Sequence, residues 1–209
     1  MLIYCATTNK GKLAEFRLAA DRYAAGCFHL EPLPGLSAIA APEETGVTLE
    51  ENATLKARYY SRHATELVFA DDSGLVVDAL DGAPGVYSSH FSGPQATDAS
   101  NNALLLERMR GVTPRTARFV CIVALARAGG ILRTFHGVVE GTLLDSPRGS
   151  HGFGYDPLFY YPDYGCTLAE CDGERKLEVS HRGRALQAMF TYLRAEASRP
   201  AAPPSSSRR

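Results

Sequence analysis

The chain has 209 residues, a formal net charge of −1 and a hydrophobic fraction of 45%. This length and composition predict one globular domain with a substantial core, or two small lobes around a cleft. A near-zero net charge gives no long-range attraction to nucleic acid or to a membrane surface. No apolar run approaches the roughly 20 residues that span a bilayer, and the N-terminal segment lacks the pattern of a signal peptide. We therefore expect a cytoplasmic protein without a nucleic-acid or membrane partner.

The first half of the chain predicts two strands and two helices. Residues 2–6 form an apolar run typical of a buried strand, and a helix over about 12–23 follows a polar turn. A second strand is expected near 27–33. A threonine followed three residues later by Glu51 matches a capping box, which predicts a helix over about 48–65.

An acidic turn is predicted inside the next β-prone segment. Residues 67–70 read as a strand that ends in the sequence DDSG at 71–74, and the strand pattern resumes over 75–79. Carboxylates at a strand end can hold a hard cation such as Mg²⁺. Ser73 and Gly74 are expected to let the backbone turn and approach a ligand. A plain turn between two strands is the alternative, and these residues alone leave both open.

The second half of the chain continues the alternation of helices and strands. Thr97 or Asp98 is expected to cap a helix, and two β-rich runs at 117–127 and 131–144 are separated by a Gly-Gly hairpin signal. Ser180 is expected to begin the last helix. Strands that alternate with helices, together with one hairpin, predict an α/β fold with a mixed sheet.

The five cysteines are an odd number without a CxxC pair, which predicts reduced thiols with mostly structural roles. Cys166 and Cys171 have no second pair of ligands nearby, so a zinc site is disfavoured.

A polar segment after the first strand contains groups suited to phosphate. It opens a helix, and the N-terminus of a helix is a ready anion site. Neither the P-loop pattern nor GxGxxG is present, so a capped strand-to-helix turn is an equally good interpretation. The residues are Thr7, Thr8, Asn9, Lys10, Gly11 and Lys12.

Two later segments contain groups suited to binding a ligand. The sequence HGFGYDP at 151–157 offers an aromatic face for stacking and a carboxylate for hydrogen bonding, with a tight turn around a core Phe as the alternative. Lys176, Ser180, His181 and Arg182 lie around the start of the last helix. Positive side chains oppose the helix dipole there, which indicates an anionic or carbonyl-rich ligand, although basic residues on an exposed helix end are common.

Six segments in one order make the chain resemble a known family. They are TTNKGK, EETG, ENATLKA, ADDSGLVVDALDGAPGVYS, GFGYDPLF and SHRGRAL, between residues 7 and 186. Each motif is moderately specific, and six in order are highly specific. The chain closely resembles the inosine triphosphate pyrophosphatase family, also called the Ham1-like family, over nearly everything except the tail.

The resemblance implies an elongated, two-lobed α/β fold with a central mixed, twisted sheet flanked by helices and an active site in the cleft between the lobes. It implies one catalytic domain over residues 1–197, usually in a homodimer, and Mg²⁺-dependent hydrolysis of ITP, dITP and XTP to the nucleoside monophosphate and pyrophosphate. The tail at 198–209 is rich in Pro and Ser and is predicted to be disordered, because it cannot bury apolar area.

By motif position, the resemblance also assigns roles to residues. Asp72 is the expected catalytic acid, which binds the metal and orients or deprotonates the attacking water, and Ser73 contacts the substrate. Glu43 or Glu44 helps to hold the metal, and the double acid leaves open which one. Lys56 faces the phosphates. The resemblance assigns the triphosphate site to Thr7, Thr8, Asn9, Lys10, Gly11 and Lys12, and the base pocket to Phe153, Gly154, Tyr155, Asp156, Lys176, His181 and Arg182.

Base selectivity follows from hydrogen-bonding groups. Hypoxanthine presents an O6 acceptor and an N1–H donor, which suit Arg182 and the region of Asp156, whereas adenine reverses both and is disfavoured. Two departures from the family pattern, at His90 and at Arg175, leave this set of residues intact. A Maf-like pyrophosphatase for other modified nucleotides and a non-catalytic nucleotide-binding module are the alternatives. The motifs GFGYDPLF and SHRGRAL disfavour the first, and the intact acids and lysines disfavour the second.

Overall fold

The computed structural model describes residues 1–24 and 26–199. The strands are β1 (Leu2–Cys5), β2 (His29–Pro32), β3 (Leu67–Val77), β4 (Thr116–Arg127), β5 (Gly130–Leu143), β6 (Phe159–Tyr161) and β7 (Cys166–Thr167). The helices are α1 (Lys10–Tyr23), α2 (Leu49–Tyr60), α3 (Asp98–Arg108), α4 (Gly173–Val179) and α5 (His181–Ala197). The predicted tail lies outside the described residues from position 200 onward.

The strands form one open seven-stranded sheet in the order β2-β1-β3-β4-β5-β6-β7. β1 runs parallel to both β2 and β3, and every later neighbour in the sheet is antiparallel. The parallel pairs are joined through α1 and α2, whereas β4 and β5 form the predicted hairpin. A mixed α/β sheet is therefore confirmed, while the division into two lobes stays a prediction.

The predicted turn at 71–74 is wrong. β3 is continuous from Leu67 to Val77, and each of its residues from 68 onward is paired with β4. The apolar residues of β4 provide an unbroken partner, and this ladder outweighs the local turn preference of Asp, Ser and Gly. Gly74 instead allows a close approach, because a Cβ there would lie 2.2 Å from the carbonyl oxygen of Gly85.

Helix α2 is shorter than predicted. Its N-terminus has the predicted capping box between Thr48 and Glu51, but the helix ends at Tyr60 rather than near 65. A short 3₁₀ turn over Ser61–His63 follows. The hydroxyl of Ser61 accepts a hydrogen bond from the backbone N–H of Gly129 at 3.0 Å, which ties this point of the chain to the β4–β5 turn. The short elements β6, β7 and α4 were not predicted.

The core is built on both faces of the sheet. Phe69 of β3 packs in a cluster with α1 and α5, whereas Val68 and Ala70 pack in a second cluster with α2. A third cluster surrounds the C-terminal end of β3, with β6 and α3 contributing. Because side chains alternate along a strand, Asp71 lies on the α5 face and Asp72 on the α2 face. Among the described residues, no helix is long and apolar enough to cross a membrane.

Candidate active site

A cleft of about 510 Å³ opens beside the middle of β3. It gathers most of the residues that the sequence predicted for the site. Those that line it are Thr7, Thr8, Asn9, Lys12, Glu44, Lys56, Asp72, Ser73, Phe153, Gly154, Tyr155, Asp156, Lys176, His181 and Arg182. The predicted residues that do not line it are Lys10, Gly11 and Glu43.

The polar turn after β1 is a helix cap that faces this cleft. Asn9 is the N-cap of α1, and its side-chain oxygen accepts a hydrogen bond from the backbone N–H of Lys12 at 3.0 Å. The hydroxyl of Thr7 accepts a bond from the backbone N–H of Asn9 at 3.2 Å. The cap interpretation and the phosphate interpretation are thus compatible, since a capped N-terminus still directs its dipole at a bound anion.

Gly11 supports the base loop, defined as residues 153–156, rather than lining the cleft. A Cβ at Gly11 would lie only 2.6 Å from the ring of Phe153. The ring also lies 4.9 Å from the ammonium of Lys176 and 5.4 Å from the guanidinium of Arg182. The glycine therefore permits direct packing between the candidate phosphate loop and the candidate base loop.

On the α2 face, Asp72 and Glu44 share one lysine. The ammonium of Lys56 lies 2.8 Å from the carboxylate of Asp72 and 3.1 Å from that of Glu44. The side chain of Asn52, one turn before Lys56, donates to Asp72 at 3.4 Å and accepts a bond from the backbone N–H of Gly46 at 2.8 Å. α2 thus holds the segment of Glu44 and Gly46 beside the middle of β3.

The protonation of this pair follows from burial and from charge. Burial raises the pKa of Asp72 above its ordinary value, although Lys56 opposes the shift. Burial opposes the charge of Lys56, but the neighbouring Asp72, Asp71 and Glu44 carboxylates raise its pKa overall. Lys56 therefore remains an ammonium, and Asp72 is a more basic carboxylate than a free aspartate.

These carboxylates fit a Mg²⁺ ion. Mg²⁺ prefers oxygen ligands and is commonly held by one or two carboxylates, with water and substrate phosphates completing its shell. Within residues 1–24 and 26–199, no cluster of three or more His, Cys, Asp or Glu side chains is arranged to hold a metal, so a site here would use two carboxylates. Asp72 and Glu44 both line the cleft, whereas Glu43 does not. The geometry favours Glu44 as the second carboxylate.

On the α5 face, Asp71 lies between two cations. Its carboxylate is 3.0 Å from the ammonium of Lys12 and 3.2 Å from Nε of Arg182. Burial opposes ionisation, yet these cations and Lys56 hold the pKa of Asp71 well below its usual range. Asp71 is therefore ionised at neutral pH, and its bonds fix the positions of Lys12 and Arg182.

Glu15 extends this network and was missed at the sequence level. Its two oxygens lie 2.6 Å from Arg182 and 2.6 Å from Lys176, and Lys176 contacts Asp156 at 2.5 Å. Burial opposes ionisation of Glu15, but the two cations lower its pKa. An acid three residues after Lys12, on the face of α1 that buries Phe16, was the available signal.

Arg182 is held on three sides. Its Nε, Nη1 and Nη2 donate to Asp71, Glu15 and the Ser73 hydroxyl respectively, at 3.2, 2.6 and 2.7 Å. Its side chain is 2% exposed. The predicted contact between this residue and base O6 stays a prediction, and the observed bonds show that the guanidinium is pre-oriented by the protein.

The remaining base-loop and helix residues are firmly held. Asp156 accepts a hydrogen bond from the backbone N–H of Phe153 at 2.9 Å, and the buried Tyr155 donates to the carbonyl of Ser88 at 2.9 Å. His181 stacks on Phe119 with ring centroids 4.7 Å apart. Burial, followed by the positive charge of its neighbours, lowers the pKa of His181 well below its ordinary value. The imidazole is therefore neutral at physiological pH.

Comparison with known proteins identifies the family. The sequence model of the Ham1 family matches residues 3–192. The chain is 48% identical over 202 residues to the dITP/XTP pyrophosphatase of Acidobacterium capsulatum, covering 92% of this chain and 98% of that protein. It is 48% identical over 190 residues to the dITP/XTP pyrophosphatase of Geobacter sulfurreducens, covering 90% and 94%.

Solved structures agree with the sequence comparisons. A HAM1 protein from Coxiella burnetii has a TM-score of 0.83 at 38% identity, with 93% of this chain and 99% of that chain covered. A nucleoside-triphosphatase, dITP/XTP pyrophosphatase, from Mycobacterium abscessus has a TM-score of 0.70 at 40% identity, with 90% and 98% covered. The resemblance predicted from the six motifs is confirmed: the chain belongs to the Ham1 family.

Proposed function

We propose that this protein hydrolyses dITP, ITP and XTP to the nucleoside monophosphate and pyrophosphate, with Mg²⁺ as cofactor. The observation that carries the proposal is a cleft that brings together a capped helix N-terminus, paired carboxylates, lysines and an aromatic base loop. The names of relatives at 48% identity support the substrate class. In the reaction, water attacks the α-phosphorus, and the bond from that phosphorus to the oxygen bridging the α- and β-phosphates breaks.

The lysines and the α1 N-terminus would bind the triphosphate. The side chains of Lys12 and Lys56 are 18% and 12% exposed, and both line the cleft. Phosphoryl transfer requires mainly positioning and charge stabilisation, which fixed cations and backbone N–H groups provide. Thr7, Thr8 and Asn9 add hydroxyl and amide groups at the same edge.

Asp72 would serve both the metal and the attacking water. Mg²⁺ held by Asp72 and Glu44 would orient the phosphates, neutralise developing charge and acidify a bound water. Asp72 would also orient the attacking water or accept its proton. Lys56 keeps the two acids together before the substrate arrives.

The base loop and the network behind it would bind the purine. Phe153 provides a face for stacking, and Lys176 and Arg182 are donors set by Glu15 and their aspartate partners. Neutral His181 adds an imidazole without a further positive charge. A pocket rich in donors favours a purine with O6 over adenine, whose N6 amino group meets donors.

A pyrophosphate-release assay with ITP, dITP, XTP, GTP, ATP and dUTP tests the proposal. We expect turnover of the inosine and xanthine nucleotides that depends on added Mg²⁺. Release of orthophosphate in place of pyrophosphate would refute the proposed bond cleavage. Tight binding of ITP without turnover would favour the non-catalytic alternative, and preferential hydrolysis of modified pyrimidine nucleotides would favour Maf-like specificity.

Two wider proposals accompany this activity. We propose a homodimer, which sedimentation analysis of the full chain would test. We also propose a cytoplasmic location, since the nucleotide pool that contains the substrates is there, and fractionation of the host cell would test it.

A further inference from the structure

Helix α3 holds Gly154 of the base loop through two hydrogen bonds. The carboxylate of Asp98, in the first turn of α3, accepts a hydrogen bond from the backbone N–H of Gly154 at 2.7 Å. The side-chain amide of Asn102, one turn later, donates to the backbone carbonyl of Gly154 at 2.8 Å. Both backbone groups of one glycine are thus held by one helix. We propose that Asp98 and Asn102 form a clamp that positions the base loop for nucleobase recognition, an inference that rests on the proposed function.

Gly154 is the position where a clamp would most strongly control the conformation of the base loop. Its φ of +62° lies in the left-handed region, so no regular ladder satisfies the backbone here. The residue before it, Phe153, faces the cations of the cleft, and the residue after it, Tyr155, is buried with its hydroxyl on Ser88. The orientation of the Gly154 peptide groups therefore determines whether the Phe153 ring faces the cleft.

α3 is itself anchored, so it can act as a fixed support. Its N-cap, Thr97, forms a capping box with Ser100. The side chain of Asn101 donates to the carbonyls of Ser88 and Ser89 at 3.3 and 3.2 Å. Since Tyr155 also donates to the Ser88 carbonyl, α3 and the base loop share a second attachment point.

The chemistry of the two side chains fits a positioning role. The side-chain oxygen of Asn102 is buried without a hydrogen-bond partner, which is unfavourable for stability. Its amide nitrogen donates to Gly154, so the bond to the base loop is the one that this side chain supplies. Asp98 is exposed and lines the cleft, so solvent could satisfy it without the loop. A carboxylate in the first turn also stabilises the helix dipole, which is the competing explanation for Asp98.

Asp98→Asn separates the two explanations, because an amide keeps an oxygen acceptor for Gly154 but removes the charge. For Asp98→Ala and Asn102→Ala we expect KM for ITP to rise by about tenfold, the typical effect of one hydrogen bond, with kcat nearly unchanged. The loss for ATP should be smaller, and Asp98→Asn should restore most of the affinity for ITP. Glu107→Ala, an exposed residue of the same helix, is the matched control.

Hydrogen exchange of the Gly154 amide gives a readout that does not depend on activity. We expect faster exchange in Asp98→Ala than in the unchanged protein or in Asp98→Asn. The Asp98→Ala and Asn102→Ala effects on KM should also be non-additive, since both act on the same residue. If Asp98→Asn is as impaired as Asp98→Ala, or if ITP and ATP lose equally, the clamp is refuted in favour of helix stabilisation. If the unchanged protein hydrolyses neither ITP nor XTP, the proposed function fails, and the exchange rates still decide whether the clamp exists.

Discussion

The two faces of β3 place adjacent carboxylates in opposite electrostatic surroundings. Asp71, on the α5 face, contacts both Lys12 and Arg182, and its side chain is 2% exposed. Asp72, on the α2 face, contacts Lys56 and is 12% exposed. The cations lower the pKa of the first against the effect of burial, while burial raises the pKa of the second.

We propose that this difference separates a structural acid, Asp71, from a chemical one, Asp72. A carboxylate between two fixed cations has little freedom to bind a metal or to take up a proton. Asp72 has a single lysine beside it and lines the cleft, so we propose that it does both. The strand period of two residues produces this separation from two consecutive aspartates.

The largest expected effect is on turnover and comes from Asp72→Asn. An amide has the same shape but cannot provide an anionic ligand, so we expect kcat/KM for ITP to fall by at least about a thousandfold, equal to about 4 kcal/mol. Pyrophosphate release measures the loss of activity, and a thermal melt measures whether the fold is retained. The melt should be preserved, because Asn can still accept a bond from Lys56. Activity within a few-fold of the unchanged protein would transfer the catalytic role elsewhere, with Asp71 as the first candidate.

The second effect is on stability and comes from Glu15→Gln. This change removes the charge between two buried cations, Arg182 and Lys176, and breaking a buried ion pair costs about 3 kcal/mol. Urea denaturation monitored by circular dichroism measures the loss. Glu178→Gln is the matched control, since Glu178 pairs with Arg22 at the surface and its removal should leave the unfolding midpoint unchanged. Equal midpoints for both variants would contradict the buried network.

Local sequence patterns predicted many of the elements and site residues. The features that they missed depend on contacts between distant parts of the chain. The capping box at Thr48, the cap at Thr97 or Asp98, the hairpin and the motif residues are local features, and the structure confirms helix caps at Thr48 and Thr97. The continuity of β3 depends on pairing with β4, about fifty positions away, so the local turn preference of DDSG was misleading. Glu15 has a partner 167 positions away, and its place three residues after Lys12 marks an acid on α1 without identifying that partner.

The third effect is on selectivity and comes from Arg182→Ala. If this residue donates to O6, kcat/KM for ITP should fall ten- to a hundredfold more than that for ATP, corresponding to about 1.5–3 kcal/mol for a charged hydrogen bond. The lost contacts with Asp71 and Glu15 should also destabilise the fold. Measuring both substrates in the same protein cancels that destabilisation, so equal losses for ITP and ATP would show that Arg182 orders the network without reading the base.

The smallest expected effect is on the pH dependence of the free energy of unfolding. It is also the most direct comparison of the two faces of β3. The folded pKa of Asp71 is lowered, so the unfolded chain takes up the proton first as the pH falls. Its stabilising contribution is present above the unfolded value of about 3.9 and is lost as the pH decreases toward the folded value. The folded pKa of Asp72 is raised, so its charge destabilises the fold as the pH rises through that value. Near pH 7, Asp71→Asn should therefore be less stable than the unchanged protein and Asp72→Asn at least as stable.

The gap in stability between these two variants should narrow by about 1.4 kcal/mol for each unit of difference between folded and unfolded pKa as the pH is lowered from 7. The part that comes from Asp72 closes above the unfolded value of about 3.9, and the part that comes from Asp71 closes only below it. Other carboxylates, including Glu15 with its lowered pKa, also lose stabilising charge over this range. They are shared by both variants, so their contribution cancels in the difference. Urea denaturation of the two proteins at several pH values measures the gap directly. Parallel stability curves would mean that the two faces of β3 do not differ electrostatically, whereas convergence at low pH assigns the structural charge to Asp71 and leaves Asp72 available for chemistry.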